Sequence, residues 1–271
     1  MNRWIFRSMT ELSSRKWISR LTGRFAQSKQ SRAFLPRFVK IYGINVEEAE
    51  KPLEQYETLN EFFTRRLKDG ARPVAGLPDA VASPVDALVT GIGPIHNGSL
   101  LNIKGQDYTI DELLKYSPRA ENYRNGYYIV LYLSPTDYHR IHSPVDGRIV
   151  ENERIPGKVY PVNDSGMRHM KQVLCRNERL ITYIRHRSGE LAVVKVGAMN
   201  VSSIKYAEPV REQVRKGDEL AYFEFGSTVV LLAEQGTFTP RADLKHGTKV
   251  KMGELLGMLT APSVSSLASA D

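Results

Sequence analysis

Three short stretches of this 271-residue chain carry side chains suited to covalent chemistry. Ser83-Pro-Val-Asp86 ends in a carboxylate, Ser134-Pro-Thr-Asp-Tyr-His139-Arg-Ile-His142 carries two imidazoles, and Phe225-Gly226-Ser227-Thr228 sets a hydroxyl behind a glycine. A hydroxyl nucleophile, an imidazole base and an orienting carboxylate are the parts of a Ser-His-Asp triad, which is defined by geometry and not by chain order. Each stretch also has a plainer reading. Gly-Ser beside a strand commonly forms a turn or bulge, and Asp after Pro commonly closes a turn. His139 and His142 have the H-x-x-H spacing of a metal pair on a helix. However, Pro135 and Pro144 favour a loop, and no cysteine cluster or carboxylate pair completes a site, so no metal is expected. The strained nucleophile elbow G-x-S-x-G is absent.

The elements that must position these groups are mostly strands. Tyr127–Leu133, Ala192–Gly197 and Val229–Ala233 are short apolar runs bounded by Gly and Pro turns. Thr58-Leu-Asn-Glu61 is a capping box opening a helix over 58–67, with Leu59, Phe62, Phe63 and Leu67 on one face. Thr109-Ile-Asp-Glu112 opens a shorter one. Two internal echoes stand beside these elements. Ser83-Pro-Val-Asp86 returns as Ser143-Pro-Val-Asp146, and Val214-Arg-Lys-Gly-Asp returns as Val250-Lys-Met-Gly-Glu. The echoes point to an α+β, β-rich fold whose core is a pseudo-symmetric β-sandwich of the barrel-sandwich kind, as in biotinyl- and lipoyl-type domains. A chance match of Pro-Asp and Gly-rich turns is the competing reading.

Charge divides the chain. Residues 1–40 hold ten Lys or Arg against the single acid Glu11, while the whole chain has a net charge of +8, so the remainder is near neutral. Ile5, Met9 and Leu12, then Trp17, Ile18, Leu21 and Phe25, follow helical spacing beside Lys16, Arg20 and Arg24. Residues 1–42 therefore read as amphipathic basic helices lying on an anionic membrane surface, with packing on the protein's own core as the alternative. Basic residues interleaved with an apolar stripe do not mark a nucleic-acid reading helix. No run approaches the ~20 apolar residues of a membrane span, and the N-terminal segment lacks the uninterrupted apolar block of a signal peptide. Cys175 is the only cysteine, which excludes an internal disulfide and a cysteine metal cluster. Residues 43–260 form the expected catalytic domain, and residues 261–271 a Ser/Ala-rich flexible tail.

Taken together, several stretches resemble the phosphatidylserine decarboxylase family from about Trp17 to Leu259. They are Leu59-Asn-Glu-Phe-Phe63, Ser83-Pro-Val-Asp86, Lys104-Gly105 with Tyr108, Tyr132-Leu-Ser-Pro-Thr-Asp-Tyr-His-Arg-Ile-His142, Pro161-Val-Asn163, Val196-Gly-Ala198 and Phe225-Gly-Ser-Thr228. Their joint order and spacing make the match specific, and Gly-Ser-Thr is the bacterial-type form of the family's cleavage motif. The resemblance implies a proenzyme that cuts itself between Gly226 and Ser227 into residues 1–226 and 227–271, which stay together as a heterodimer. It implies that Ser227 becomes a covalent pyruvoyl (pyruvate) cofactor, which takes the substrate amine as a Schiff base. His142 and Asp86 are the implied triad partners and His139 the group serving decarboxylation. The implied substrate is phosphatidylserine, at the cytoplasmic side of the cell membrane, with the protein peripheral to it. The family usually has Gly after the triad Asp, and this chain has Ala87; Asp146, followed by Gly147, is the reserve for that carboxylate. Two other classes remain open from the residues themselves: a non-catalytic β-sandwich binding or carrier module, and a Ser-His-Asp hydrolase acting on an external ester.

Overall fold

The computed structural model describes residues 22–103, 106–162, 170–198, 204–208, 211–224 and 227–260. The stripes from Ile5 to Leu21, the tail 261–271, Lys104-Gly105, Asn163, Phe225 and Gly226 lie outside these residues, as does the side chain of Ser227.

Sixteen strands run through the described residues. They are β1 (Ala80–Ala82), β2 (Ala87–Pro94), β3 (Ser99–Ile103), β4 (Gln106–Thr109), β5 (Tyr127–Leu133), β6 (Arg140–His142), β7 (Gly147–Ile155) and β8 (Arg179–His186), then β9 (Gly189–Gly197), β10 (Ile204–Tyr206), β11 (Gln213–Val214), β12 (Glu219–Phe223), β13 (Ser227–Ala233), β14 (Phe238–Pro240), β15 (Lys249–Val250) and β16 (Leu255–Leu259). The apolar runs make the centre. β13 lies between β5 and β9, antiparallel to both, with all seven of its residues in register on each side. Both faces of these strands are buried, as continuous apolar runs require. The large sheet has the order β11-β7-β8-β9-β13-β5-β2-β15. Two three-stranded sheets, β10-β12-β6 and β1-β16-β14, and the two-stranded β3-β4 complete the β-rich α+β architecture of the described residues.

The sequence echoes are structural. Ser83 Oγ donates to the Val85 carbonyl at 2.7 Å, and Ser143 Oγ to the Val145 carbonyl at 2.7 Å. Each turn is gripped by the matching glycine loop. Gly253 N donates to Ser83 O at 2.9 Å and Gly217 N to Ser143 O at 2.8 Å. Met252 N donates to Asp86 at 2.8 Å and Lys216 N to Asp146 at 2.8 Å. The two copies also exchange bonds, Ala82 N to Pro144 O and His142 N to Pro84 O, both at 2.9 Å. Both glycines have left-handed backbone, φ +90° at Gly217 and +87° at Gly253, a conformation that favours residues without a Cβ. A local two-fold relation thus places His142 where its counterpart is Ala82.

Helices are few. α1 (Leu35–Tyr42) ends at Gly43, which has φ 64°, and buries Leu35 against Ile44, Tyr56 and Phe62. α2 (Leu59–Phe63) is capped by Thr58, whose hydroxyl accepts from Glu61 N at 3.0 Å. The Glu61 carboxylate reaches back to Glu57 N, one residue before the cap. The helix stops at Phe63 and does not run to residue 67. The Thr64 hydroxyl donates to the Asn60 carbonyl, and Leu67 leaves to bridge Ala49. Among the described residues no helix is long and apolar enough to cross a membrane.

Candidate active site

Hydrogen bonding on either side of the Gly226–Ser227 junction sets the site. Ser227 opens β13 and pairs with Leu133, the last residue of β5. Four residues earlier, Phe223 N donates to the His139 carbonyl at 3.1 Å. Leu133 and His139, which bound the connection 134–138, are therefore paired with Ser227 and Phe223, which bound 224–226. Ala87, Leu133, Ser227 and Gly197 are the terminal residues of adjacent strands at one end of the large sheet. At the usual ~4.8 Å between neighbouring strands, β2 and β13 stand ~10 Å apart across β5.

The two histidines differ in surroundings and agree in protonation. His142 closes β6. Its Nδ1 lies 2.7 Å from the Gly217 carbonyl and its Nε2 3.1 Å from the Tyr138 hydroxyl. A carbonyl only accepts, so Nδ1 carries the proton, and bare Nε2 accepts from Tyr138. Burial lowers the pKa of His142, opposed by the Gly217 bond and by the charges of Glu219 and Asp86. His139 is fully buried, with its ring 4.0 Å from that of Phe63. Its Nδ1 donates to the Asp137 carbonyl at 2.8 Å, and its Nε2 has no partner among the described residues. Burial pushes its pKa down to about 3, and the Arg65 guanidinium adds to the effect. Both imidazoles are thus neutral near pH 7.

Asp86 takes a different place from the one expected of an orienting carboxylate. It is buried, and the Arg72 guanidinium grips it, Nε to Oδ1 at 2.9 Å and Nη2 to Oδ2 at 2.6 Å. Arg72 also donates to Glu48 at 2.7 Å. No hydrogen bond joins Asp86 to His142 among the described residues. Asp86 opens onto a cavity of about 450 Å³ that it shares with Asp137 and Lys251. His142 opens onto another of about 810 Å³, with Arg140, Glu219 and Glu224 in its wall. The carboxylate reaches His142 through its field, and the orienting contact on Nδ1 comes from the Gly217 carbonyl. Asp146, the reserve, is exposed to solvent.

Sequence reasoning missed three participants. Arg72 lies fourteen residues before Asp86, as far as its hydrogen bond spans. The Gly217 carbonyl is a backbone atom that no residue type announces. Glu224, the last described residue before the junction, is buried and holds Lys205 at 3.0 Å, Gln27 at 3.2 Å and Asn60 at 3.3 Å. It fastens the end of β12 onto Asn60 of α2 and onto Gln27. An acid inside the apolar run Leu220-Ala-Tyr-Phe-Glu-Phe225 was the available signal. Among the described residues, no group of three His, Cys, Asp or Glu is arranged to hold a metal ion.

Comparison with known proteins covers this whole arrangement. The profile of the phosphatidylserine decarboxylase family matches residues 59–258. The chain belongs to that family. The match starts at the first residue of α2 and ends within β16, so this family member's histidine loop, both Ser-Pro-Val-Asp turns and the Gly226–Ser227 junction all fall inside it. The chain is 44% identical over 259 residues to a phosphatidylserine decarboxylase proenzyme of Anoxybacillus flavithermus, covering 96% of this chain and 97% of the relative. Proenzymes of the same name from Geobacillus kaustophilus and Bacillus thuringiensis subsp. konkukian are 43% and 42% identical, each covered over 97% of its length and covering 95% and 94% of this chain.

Proposed function

We propose that the chain decarboxylates phosphatidylserine to phosphatidylethanolamine, using a pyruvoyl group made from Ser227 when the chain cuts itself at Gly226–Ser227. The observation that supports the cleavage is the double tie, Leu133 to Ser227 and His139 to Phe223, which joins the residues on either side of the junction to the two ends of the connection 134–138. In the cut, the Ser227 hydroxyl attacks the Gly226 carbonyl while His142, neutral with Nε2 unprotonated, receives the proton. Gly226 has no side chain to obstruct that approach. The peptide becomes an ester, elimination frees a chain ending at Gly226 and leaves dehydroalanine at 227, and water hydrolyses its imine tautomer to the ketone with loss of ammonia. Asp86 favours the imidazolium through its charge.

The buried residues suit a pyruvoyl group at position 227. The His139 Nε2 is a buried polar atom without a partner among the described residues, which suits a group that acts on something bound beside it. The pyruvoyl ketone supplies an electron sink for the bond electrons left by carbon dioxide. His139 is the candidate to return a proton to carbon: its Nε2, bare in the precursor, takes up a proton there before giving it up, and the Phe63 ring packs 4.0 Å from the imidazole. Residues 43–260 are the catalytic unit and residues 1–42 its attachment to anionic lipid. Phe25, Phe34, Ile41 and Tyr42 are exposed beside Lys29, Arg37 and Lys40, which suits a peripheral site on the cytoplasmic leaflet.

Mass spectrometry of the purified protein tests the reading. Two fragments are expected, residues 1–226 and residues 227–271, the second beginning with a carbonyl in place of an amine. Ser227→Ala leaves one chain, and His139→Ala cleaves but decarboxylates poorly. A wild-type chain that stays intact overturns the self-cleavage and leaves the hydrolase or carrier-module class. Equal loss of cleavage and turnover in His139→Ala overturns the division between the two histidines.

A further inference from the structure

The loop that leads to His139 is fastened by one carboxylate. Asp137 N donates to the Ser134 carbonyl at 3.0 Å, which makes residues 134–137 a β-turn with Pro135 at its second position. The Asp137 side chain answers from the other end, where its Oδ2 accepts from Ser134 N at 2.7 Å. One residue thus closes the turn twice, through its amide and through its carboxylate. The hydroxyls of Ser134 and Thr136 lie 2.6 Å apart within the same four residues. Pro135 has its φ fixed by its ring, so the turn keeps little freedom once the carboxylate is in place. His139 stands two residues further on, and its Nδ1 donates to the carbonyl of the same Asp137 at 2.8 Å. A neutral imidazole carries one proton, on either nitrogen, and the partner of one nitrogen decides the state of the other. The Asp137 carbonyl is the only hydrogen-bond partner this ring has among the described residues. The peptide between Asp137 and Tyr138 sets the direction of that carbonyl. The turn holds this peptide on one side, and on the other Tyr138 is buried, its ring stacked on that of His142 at 5.6 Å.

We propose that Asp137 is a positioning residue for His139: its carboxylate closes the turn 134–137, the turn aims the Asp137 carbonyl at Nδ1, and Nε2 is thereby kept bare. This rests on the decarboxylation role given to His139 above and supplies what sets its starting state. With the turn opened, the carbonyl leaves Nδ1 and the ring proton is free to sit on Nε2. A ring in that form cannot take up at Nε2 the proton it must later return to carbon. The side chain of Asp137 therefore acts through its own backbone, one peptide away from the ring it governs.

The test reads the tautomer directly. Full-length Ser227→Ala protein is labelled at the histidine ring nitrogens for NMR, and the His139 signals are assigned by their loss in His139→Leu. With Asp137 in place, the proton is expected on Nδ1 alone. Asp137→Ala is expected to move it wholly or partly to Nε2. Asp137→Asn, whose side-chain oxygen can still accept from Ser134 N, is expected to restore it. In the cleaved enzyme, turnover of phosphatidylserine vesicles, counted per fragment 227–271 formed, should fall at least about tenfold in Asp137→Ala with KM unchanged, and recover in Asp137→Asn. Thermal unfolding of the Ser227→Ala forms checks the fold. Where Asp137→Ala does not fold, Asp137→Glu, which displaces the carboxylate by one methylene, is read in its place. A tautomer that stays put in the folded variant makes Asp137 a purely structural residue and overturns the proposal. Full turnover with the proton on Nε2 overturns it as well. A His139→Ala enzyme that turns over normally overturns the decarboxylation role beneath it and leaves the tautomer result standing.

Discussion

The turns at Ser83–Asp86 and Ser143–Asp146 are built alike, from the serine bond to the next valine carbonyl to the amide that reaches each aspartate. What differs is what stands around them. The first turn has Ala82 before it and Arg72 and Glu48 around its aspartate, which closes that carboxylate inside the protein. The second turn has His142 before it and leaves Asp146 in water. One backbone frame has thus been used once as a charged anchor and once as a mount for an imidazole. The difference teaches that the repeated motif specifies a turn, and that the chemistry comes from side chains outside the repeat.

Removing the aspartates breaks the comparison most strongly. Asp86→Ala leaves the Arg72 guanidinium buried without its main partner, and such losses cost about 3–5 kcal/mol. Asp146→Ala removes one exposed turn contact and should cost no more than about 0.5 kcal/mol. Urea unfolding of both in an uncleaved Ser227→Ala background measures the gap, and equal losses would erase the distinction between the turns. Next comes the imidazole. His142→Ala should slow appearance of fragment 227–271 by about 100-fold or more, the range of a lost general base, with little change in unfolding of the Ser227→Ala form.

A third measurement uses pH. His139 is held neutral, with its pKa lowered from 6.5 to about 3. A histidine lowered on folding contributes stability that is full above its unfolded pKa and declines as pH falls through 6.5 toward 3. Between pH 7 and 5 the precursor should lose about 2 kcal/mol through this residue. His139→Leu should flatten that slope, and parallel slopes would mean the imidazole is not sealed. The smallest expected effect separates the glycine loops. A Cβ at Gly253 meets the Pro73 carbonyl, which is backbone, whereas one at Gly217 meets the Val74 side chain at 2.8 Å, which can shift. Gly253→Ala should therefore lower stability by about 1 kcal/mol more than Gly217→Ala, read from urea midpoints.

Much of this was legible in the residues. Unbroken apolar runs gave β5, β9 and β13, because a strand buried on both faces has no polar position to alternate. Thr58 and Thr109 marked two helix starts through their hydroxyls. The echoes located the two-fold frame. The helix at 58–67 was read too long because apolar spacing continued past Thr64, where the Arg65 amide turns back to the Phe62 carbonyl and Leu67 leaves to bridge Ala49. The Asp86–His142 pairing was implied by the family resemblance, and the structure gives each residue another partner. The partners were hidden for physical reasons. One is a carbonyl, and the other is an arginine whose relation to Asp86 exists only once β1 and the loop before it have folded.

The position of β13 has a consequence for how this protein survives damage. Residues 227–260 supply the strand between β5 and β9, the edge strand beside β2, and two of the three strands in the sheet with β1. Before the proposed cut at Gly226–Ser227, those strands are tethered to their partners, and recovery from denaturant is a unimolecular event independent of dilution. After it, the same strands must be found by collision, so recovery becomes second order and competes with aggregation of a short, apolar, unpaired piece. The precursor is thus a chain that renatures at any concentration, and the mature protein one whose refolding yield depends on how much of it is present.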